Sequence, residues 1–279
     1  MRTIVISGGT DGMGRALALG RAGRGDRVIA IGSNAGKGER LLAEAPAAGT
    51  IEFVHADLRT VAATKAAAAV ITDSAPAIDA LALFANRQAP LRSETSEGLE
   101  ATFALYYLSR YLLSHQLTPA LSRSAAPVII NVAGVGITKG SIHWQDLQLT
   151  REYGMVTAQL QAGRANDLLG VSYAAAHGAT VRYVLYHPGF TRSGDLSVLP
   201  AAMRAAIRAA ARVSARPVEE SVAPIHDFID NPPPVPLTAI DRDKPVPLTL
   251  ATLDPGAAAR LAHATTALLS GMDWPGQAG

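Results

Sequence analysis

The sequence predicts an α/β fold, a doubly wound parallel sheet in a single domain, and three observations carry that expectation. Across residues 1–190, short β-branched runs alternate with longer Ala/Leu-rich stretches of helical period, the pattern of repeated βα units. The short runs are almost wholly apolar, as strands covered by helices on both faces must be. The first run leads directly into a glycine cluster at residues 8–14. With 279 residues, 48% hydrophobic and 17% charged, the chain has the apolar content for one large core, which excludes disorder as its main state.

The elements follow in order. Thr-Ile-Val-Ile-Ser at 3–7 reads as the first strand, and after the glycines residues 13–23 place Leu and Ala at helix spacing. The apolar run 27–32 is the second strand, followed by an amphipathic helix over 37–44; the third strand is 51–55 and the fourth 80–84. A helix spans 99–117, the Val-Ile-Ile-Asn-Val run at 128–132 is the fifth strand, 163–177 is helical, and 180–186 is the sixth strand. Beyond His187-Pro188-Gly189 the pattern loosens. Helices are expected over 201–213 and 218–230, a Pro-rich turn at 232–234, short strands at 237–240 and 246–250 around the polar turn 241–244, and a helix over 255–269. No internal repeat separates a second domain, so residues 1–279 form one unit in which 190–279 act as substrate lid and C-terminal extension.

Composition narrows the class of function. Lys and Arg number 25 against 23 Asp and Glu, a net charge of +2 with no long basic run, which argues against nucleic acid as a partner. The absence of cysteine removes disulfides, a thiolate nucleophile and sulfur-ligated zinc, and the seven histidines show no ligand spacing, so no metal is expected. The first residues hold no signal-peptide core and no 18 apolar residues run uninterrupted, so the expectation is a cytoplasmic protein without a membrane partner.

Ser7-Gly8-Gly9-Thr10-Asp11-Gly12-Met13-Gly14 ends a strand and opens a helix, where backbone N–H groups and the helix dipole favour a pyrophosphate. Here the sequence resembles the short-chain dehydrogenase/reductase family, whose Thr-Gly-x-x-x-Gly-x-Gly turn is matched by Ser7, Gly8, Gly12 and Gly14. His55-Ala56-Asp57-Leu58 resembles the family's Asp-Leu after the third strand, which implies Asp57 and Leu58 beside adenine. Leu83-Phe84-Ala85-Asn86 stands where the family has Asn-Asn-Ala-Gly, Val132 ends the fifth strand, and Pro188, Gly189 and Ser193 resemble the stretch that meets the nicotinamide carboxamide. The resemblance covers about residues 1–195 and implies a Rossmann-type fold and a nicotinamide cofactor.

The cofactor expected is NADP(H). The second strand is followed by Ser33-Asn34-Ala35-Gly36-Lys37, with no carboxylate to bond a ribose 2′-hydroxyl and repel a 2′-phosphate. Ser33 and Asn34 supply hydrogen bonds, and Lys37, Arg40 or Arg15 positive charge.

The catalytic set that the resemblance implies, Asn, Ser, Tyr and Lys, is missing. Ala133 and Gly134 stand where the serine is expected and Tyr106 where the asparagine is. Two registers compete for Tyr-x-x-x-Lys. One starts at Tyr153, with Thr157 four residues on; the other, counted back from His187, replaces tyrosine by Gln159 or Leu160 and lysine by Gly163 or Arg164. The second is preferred, with Arg164 as the cation that bonds the nicotinamide ribose. Tyr153, Tyr106 and Tyr107 are the candidate proton donors; His143 lies in a loop after strand five, and His187 is expected to brace the Pro-Gly turn.

The reading is an NADP(H)-dependent oxidoreductase of carbonyl reductase or alcohol dehydrogenase type with a non-standard proton donor. The alternatives are a non-redox cyclase, isomerase or dehydratase that keeps NADP as a structural element, and a catalytically silent NADP-binding protein. Ile137, Trp144, Met155, Phe190, Leu196 and Met203 suggest an apolar small-molecule substrate. The resemblance further implies a homodimer or homotetramer paired through the helices that carry Tyr107 and Arg164.

Overall fold

The computed structural model describes residues 1–191, 204 and 216–272. Its strands are β1 (Thr3–Ser7), β2 (Arg27–Gly32), β3 (Thr50–His55), β4 (Ala80–Leu83), β5 (Val128–Val132), β6 (Arg182–His187), β7 (Leu237–Asp241) and β8 (Lys244–Pro245). They form one sheet in the order β3-β2-β1-β4-β5-β6-β7-β8, parallel throughout except for the β7–β8 pair. The expected doubly wound parallel sheet is therefore present; β7 is the strand expected at 237–240, and β8 adds a short antiparallel edge.

The helices are α1 (Gly12–Ala22), α2 (Ala35–Ala43), α3 (Val61–Ser74), α4 (Ala101–Phe103), α5 (Ser109–Leu121), α6 (Met155–His177), α7 (Val218–Asp230) and α8 (Pro255–Ser270). Side-chain caps start most of them. Asp11 accepts from the Gly12 N–H, Asn34 from Lys37, Thr60 from Ala63, and Asp254 from Ala257 ahead of a proline at the first helical position. Glu100 caps α4 by accepting from the Thr102 and Phe103 N–H groups at 2.8 and 2.7 Å. Between α4 and α5, Ala104–Leu108 is π-helical, with the Ser109 N–H bonded to the Ala104 carbonyl.

Strand alternation divides the core in two. Val5, Ile29, Ile31, Leu81, Leu83 and Ile129 face the side covered by α3, α5 and α6, whereas Ile4, Ile6, Val28, Ala30 and Ile130 meet Leu17 and Ala18 of α1 and Ile225 of α7. On this second side Arg21 is buried and binds Asp26 and Asp230, tying α1 to α7. Of residues 190–279, expected as lid and C-terminal extension, the described part extends the sheet and packs a helix on each side of it.

The structure corrects two expected elements and adds one. No strand forms over 246–250: Val246 N–H bonds the Ala239 carbonyl at 2.8 Å, but Pro245 and Pro247 have no N–H with which to continue a ladder. The helix expected to begin at residue 163 begins at Met155. The sequence reading names no element between the third and fourth strands, where α3 stands; its buried face is Val61, Thr64, Ala67, Ala68 and Ile71, and alanine at most positions obscures the period. The helix expected over 201–213 lies, apart from Arg204, outside the described residues.

Candidate functional site

Strand order reverses between β1 and β4, and the crevice at their carboxyl ends is where an open parallel sheet receives a ligand. The turn after β1 leads into it. Ser7 is fully buried and its Oγ accepts from the Ala85 N–H at 3.4 Å, while Gly8 and Gly9 N–H groups bond the Ile31 carbonyl at 2.9 and 3.1 Å. Gly8 and Gly12 have φ of 71° and 51°, which favour glycine. A Cβ on Gly14 would lie 2.2 Å from the Gly8 carbonyl oxygen, so this crossing of turn and helix admits no side chain. Met13 is half-buried, Thr10 buried, and the first turn of α1 carries no acidic residue. This cradle of bare backbone at a helix N-terminus fits the pyrophosphate of a dinucleotide.

At the end of β2, Ser33 is exposed and Asn34 caps α2. Beside them a cavity of about 430 Å³ is lined by Thr10, Asp11, Arg15, Lys37, Arg40 and Glu44. Two of its cations are paired, Lys37 with Asp11 and Arg15 with Glu44. After β3, Asp57 accepts from the Arg59 backbone and guanidinium, and those bonds hold its carboxyl below the usual range. Leu58 is buried beside it.

The carboxyl ends of β4 and β5 hold a polar cluster that sequence reading missed. Arg110, fully buried in α5, donates to the Val132 carbonyl at 2.8 Å, the Ala85 carbonyl at 3.1 Å and Asn131 Oδ1. Its guanidinium lies 4.6 Å from the centre of the Tyr106 ring, no carboxylate pairs with it among the described residues, and its Nε has no partner. Burial pulls its pKa down to about 10. Asn131 also donates to Asn166 Oδ1 and the Tyr183 hydroxyl, both at 3.0 Å. The signal available in the sequence was an arginine four residues after Tyr106, one helical turn on.

The candidate catalytic residues are dispersed. Tyr106 is buried in the π-helical segment, its carbonyl accepting from Asn166, and burial raises its phenol pKa. Tyr107 points instead to Thr265 of α8, at 2.7 Å. The Tyr153 hydroxyl donates to the Ala89 carbonyl at 2.6 Å, ahead of α6 rather than within it. Arg164, expected to reach a nicotinamide ribose, is turned elsewhere: it pairs with buried Asp167 at 2.7 Å and donates to the Ile137 and Lys139 carbonyls, because a guanidinium at this depth needs an anion and several acceptors. Gln159 faces Asn86 across the crevice, each amide donating to the other, at 3.0 and 3.3 Å. Four residues on, a Cβ on Gly163 would meet nothing within 4 Å. Ala133 is buried after β5.

At the end of β6, His187 Nδ1 lies 2.9 Å from Asp241 Oδ1, which fixes the turn into Pro188 and Gly189, where Gly189 takes φ 82°. The expected brace is thus present. His143 bonds Gln161 through its backbone N–H. Ser193, Leu196 and Met203 lie outside the described residues. Among those described, no group of His, Asp and Glu is placed to hold a metal, and no helix is long and apolar enough to cross a membrane.

The model of the short chain dehydrogenase family matches residues 2–146, from β1 through β5 into the following loop. The chain is a member of this family. A Streptomyces sp. (strain C5) protein provisionally named daunorubicin C-13 ketoreductase DnrU is 29% identical to this dehydrogenase-family chain over 197 residues, 69% of this chain and 67% of that protein. Human retinol dehydrogenase 13 is 27% identical over 197 residues, 69% of this chain and 60% of its own. The matched segment thus spans about three fifths to two thirds of these relatives. A short-chain dehydrogenase from Sphingobium yanoikuyae in complex with NADPH has the same fold, with a TM-score of 0.64 at 19% identity over 100% of this chain and 98% of that one.

Proposed function

We propose that the chain is an NADP(H)-dependent oxidoreductase acting on the carbonyl or alcohol of an apolar small molecule. The observation that carries this reading is the turn of Ser7, Gly8, Gly12 and Gly14, backed by a β2 end without a carboxylate. In it the pyrophosphate would lie against the N–H groups from Thr10 to Met13, and the 2′-phosphate against Ser33, Asn34 and the cations Arg15, Lys37 and Arg40. Asp57 and Leu58 would flank adenine, and Ala85, Asn86, Val132, Pro188 and Gly189 the nicotinamide; bound there, the cofactor supplies hydride. The NADPH in the Sphingobium structure supports the cofactor, and the names of the ketoreductase and the retinol dehydrogenase support a ketone or alcohol as the reacting group.

Gln159 and Gly163 fit the positions of the family's Tyr and Lys, since Gln159 faces Asn86 and Gly163, four residues on, has open space where a Cβ would stand. A carboxamide donates a hydrogen bond to a substrate oxygen but releases no proton, so after hydride transfer the alkoxide takes its proton from water and turnover is slower than with tyrosine by roughly 10²–10⁴. The test is a fluorescence titration with NADPH and NADH, on the chain and on Ser33→Asp. Tighter binding of NADPH, lost in the variant, is expected; binding of neither nucleotide overturns the reading.

A further inference from the structure

Arg110 combines three properties that packing alone does not require. It is a full positive charge with no exposure, its acceptors are all neutral, and two of them are the carbonyls of Ala85 and Val132 at the tips of adjacent strands. A buried cation that only fills space is normally paired with a carboxylate, as Arg21 is with Asp26 and Arg164 with Asp167. Arg110 instead keeps its charge facing a neutral cage of two carbonyls, the Asn131 amide and the Tyr106 ring, with Nε unpartnered. Asn131 is held in turn by Asn166 and Tyr183, so the cage cannot swing away.

An uncompensated charge in a low-dielectric interior acts over several ångströms. Ala85 and Val132 are residues against which the nicotinamide would rest, and that ring carries a positive charge when oxidised and none when reduced. We infer that Arg110 is a positioning residue whose fixed charge makes this site discriminate between the two redox forms of the cofactor, binding the reduced form more tightly. The inference rests on the cofactor reading above and goes beyond it by assigning the direction in which the site is poised, toward reduction of a substrate. The fork of Arg110 also joins the tips of β4 and β5, so the charge and the floor of the site are set by one side chain.

The test is equilibrium binding of NADPH and NADP⁺, by fluorescence and calorimetry without substrate, to the chain, to Arg110→Gln and to Arg110→Lys, with circular dichroism melting as the check on folding. In the unsubstituted chain NADPH is expected to bind about tenfold or more tightly than NADP⁺, the scale of one charge–charge interaction at partial burial. Arg110→Gln keeps hydrogen bonds and removes the charge, and the preference is expected to collapse toward unity. Arg110→Lys is expected to keep the preference at pH 6 and lose it as pH rises to 10, because a buried ammonium deprotonates early. The titratable groups facing it, the phenols of Tyr106 and Tyr183, are both raised by burial and stay neutral over that range. If Arg110→Gln does not fold, the lysine variant decides the question. Equal affinities in the unsubstituted chain, a full preference in folded Arg110→Gln, or a pH-independent preference in Arg110→Lys would each overturn the inference. Binding of neither form would sink the cofactor reading instead, which is a separate outcome.

Discussion

Gly14 and Gly163 are glycines for opposite reasons. At Gly14 any side chain strikes the Gly8 carbonyl, so Gly14→Ala is expected to weaken NADPH binding about a hundredfold, roughly 2.7 kcal/mol, read by fluorescence titration. At Gly163 the space is open, so Gly163→Lys should be accommodated with little change in melting temperature. Combined with Gln159→Tyr it is expected to raise the rate of NADPH-dependent carbonyl reduction by about 10²–10⁴, because the pair restores a proton donor and the cation that tunes it. A double variant that folds and binds NADPH but is no faster would show that Gln159 does not occupy the proton donor's place. Motif spacing made the Gly14 constraint legible in the sequence. The pairing of Gln159 with Asn86 was not, because those residues lie on separate elements 73 positions apart.

Two buried arrangements hold the elements together, and each gives a measurable expectation. Arg21 of α1 binds Asp26 and Asp230, so Arg21→Met leaves buried Asp26 without its cation, while Asp230 keeps Arg2 and Arg24, and is expected to cost about 3 kcal/mol in urea unfolding. On the opposite side of the sheet, His115 of α5 packs against Tyr111, Tyr173 and His177. Burial, and then the neighbouring His177, push His115 down to about 4, well below the ordinary histidine value. A histidine held neutral by the fold must take up a proton on unfolding, so its contribution is fully present above about pH 6.5 and is lost as pH falls toward 4. His115→Gln is therefore expected to lose less stability than the unsubstituted chain between pH 7 and pH 4.5. An equal loss in both proteins would contradict that assignment; His226, depressed by burial in the same direction, adds to the acid sensitivity.

For the whole molecule, the placement of α8 bears on assembly. It packs along α6, and its Thr265 and Thr266 meet the Tyr107 and Tyr111 hydroxyls. Leu261 is buried there, and Arg260 lies 4.1 Å from the centre of the Trp144 ring. The C-terminal helix thus lies along α6 and bonds Tyr107 and Tyr111 of the neighbouring helix, the two helices through which two copies were expected to pair. If that placement blocks pairing, sedimentation equilibrium is expected to find a monomer, and a stable dimer would contradict the expectation. Truncation before Pro255 should uncover Tyr107 and the outer side of α6, and self-association is the expected result.

Read along the chain alone, the residues give the alternation of strands and helices and the glycine turn. These are local matters: period, φ tolerance and residue identity are written along the chain. It takes the packed chain to turn Arg164 to Asp167, to bring Gln159 to Asn86, to leave Arg110 with only neutral acceptors among the described residues, and to lay α8 along α6. Each of those outcomes depends on which distant groups can satisfy a buried charge, amide or apolar face, and burial is a property of the packed chain rather than of any one segment of it.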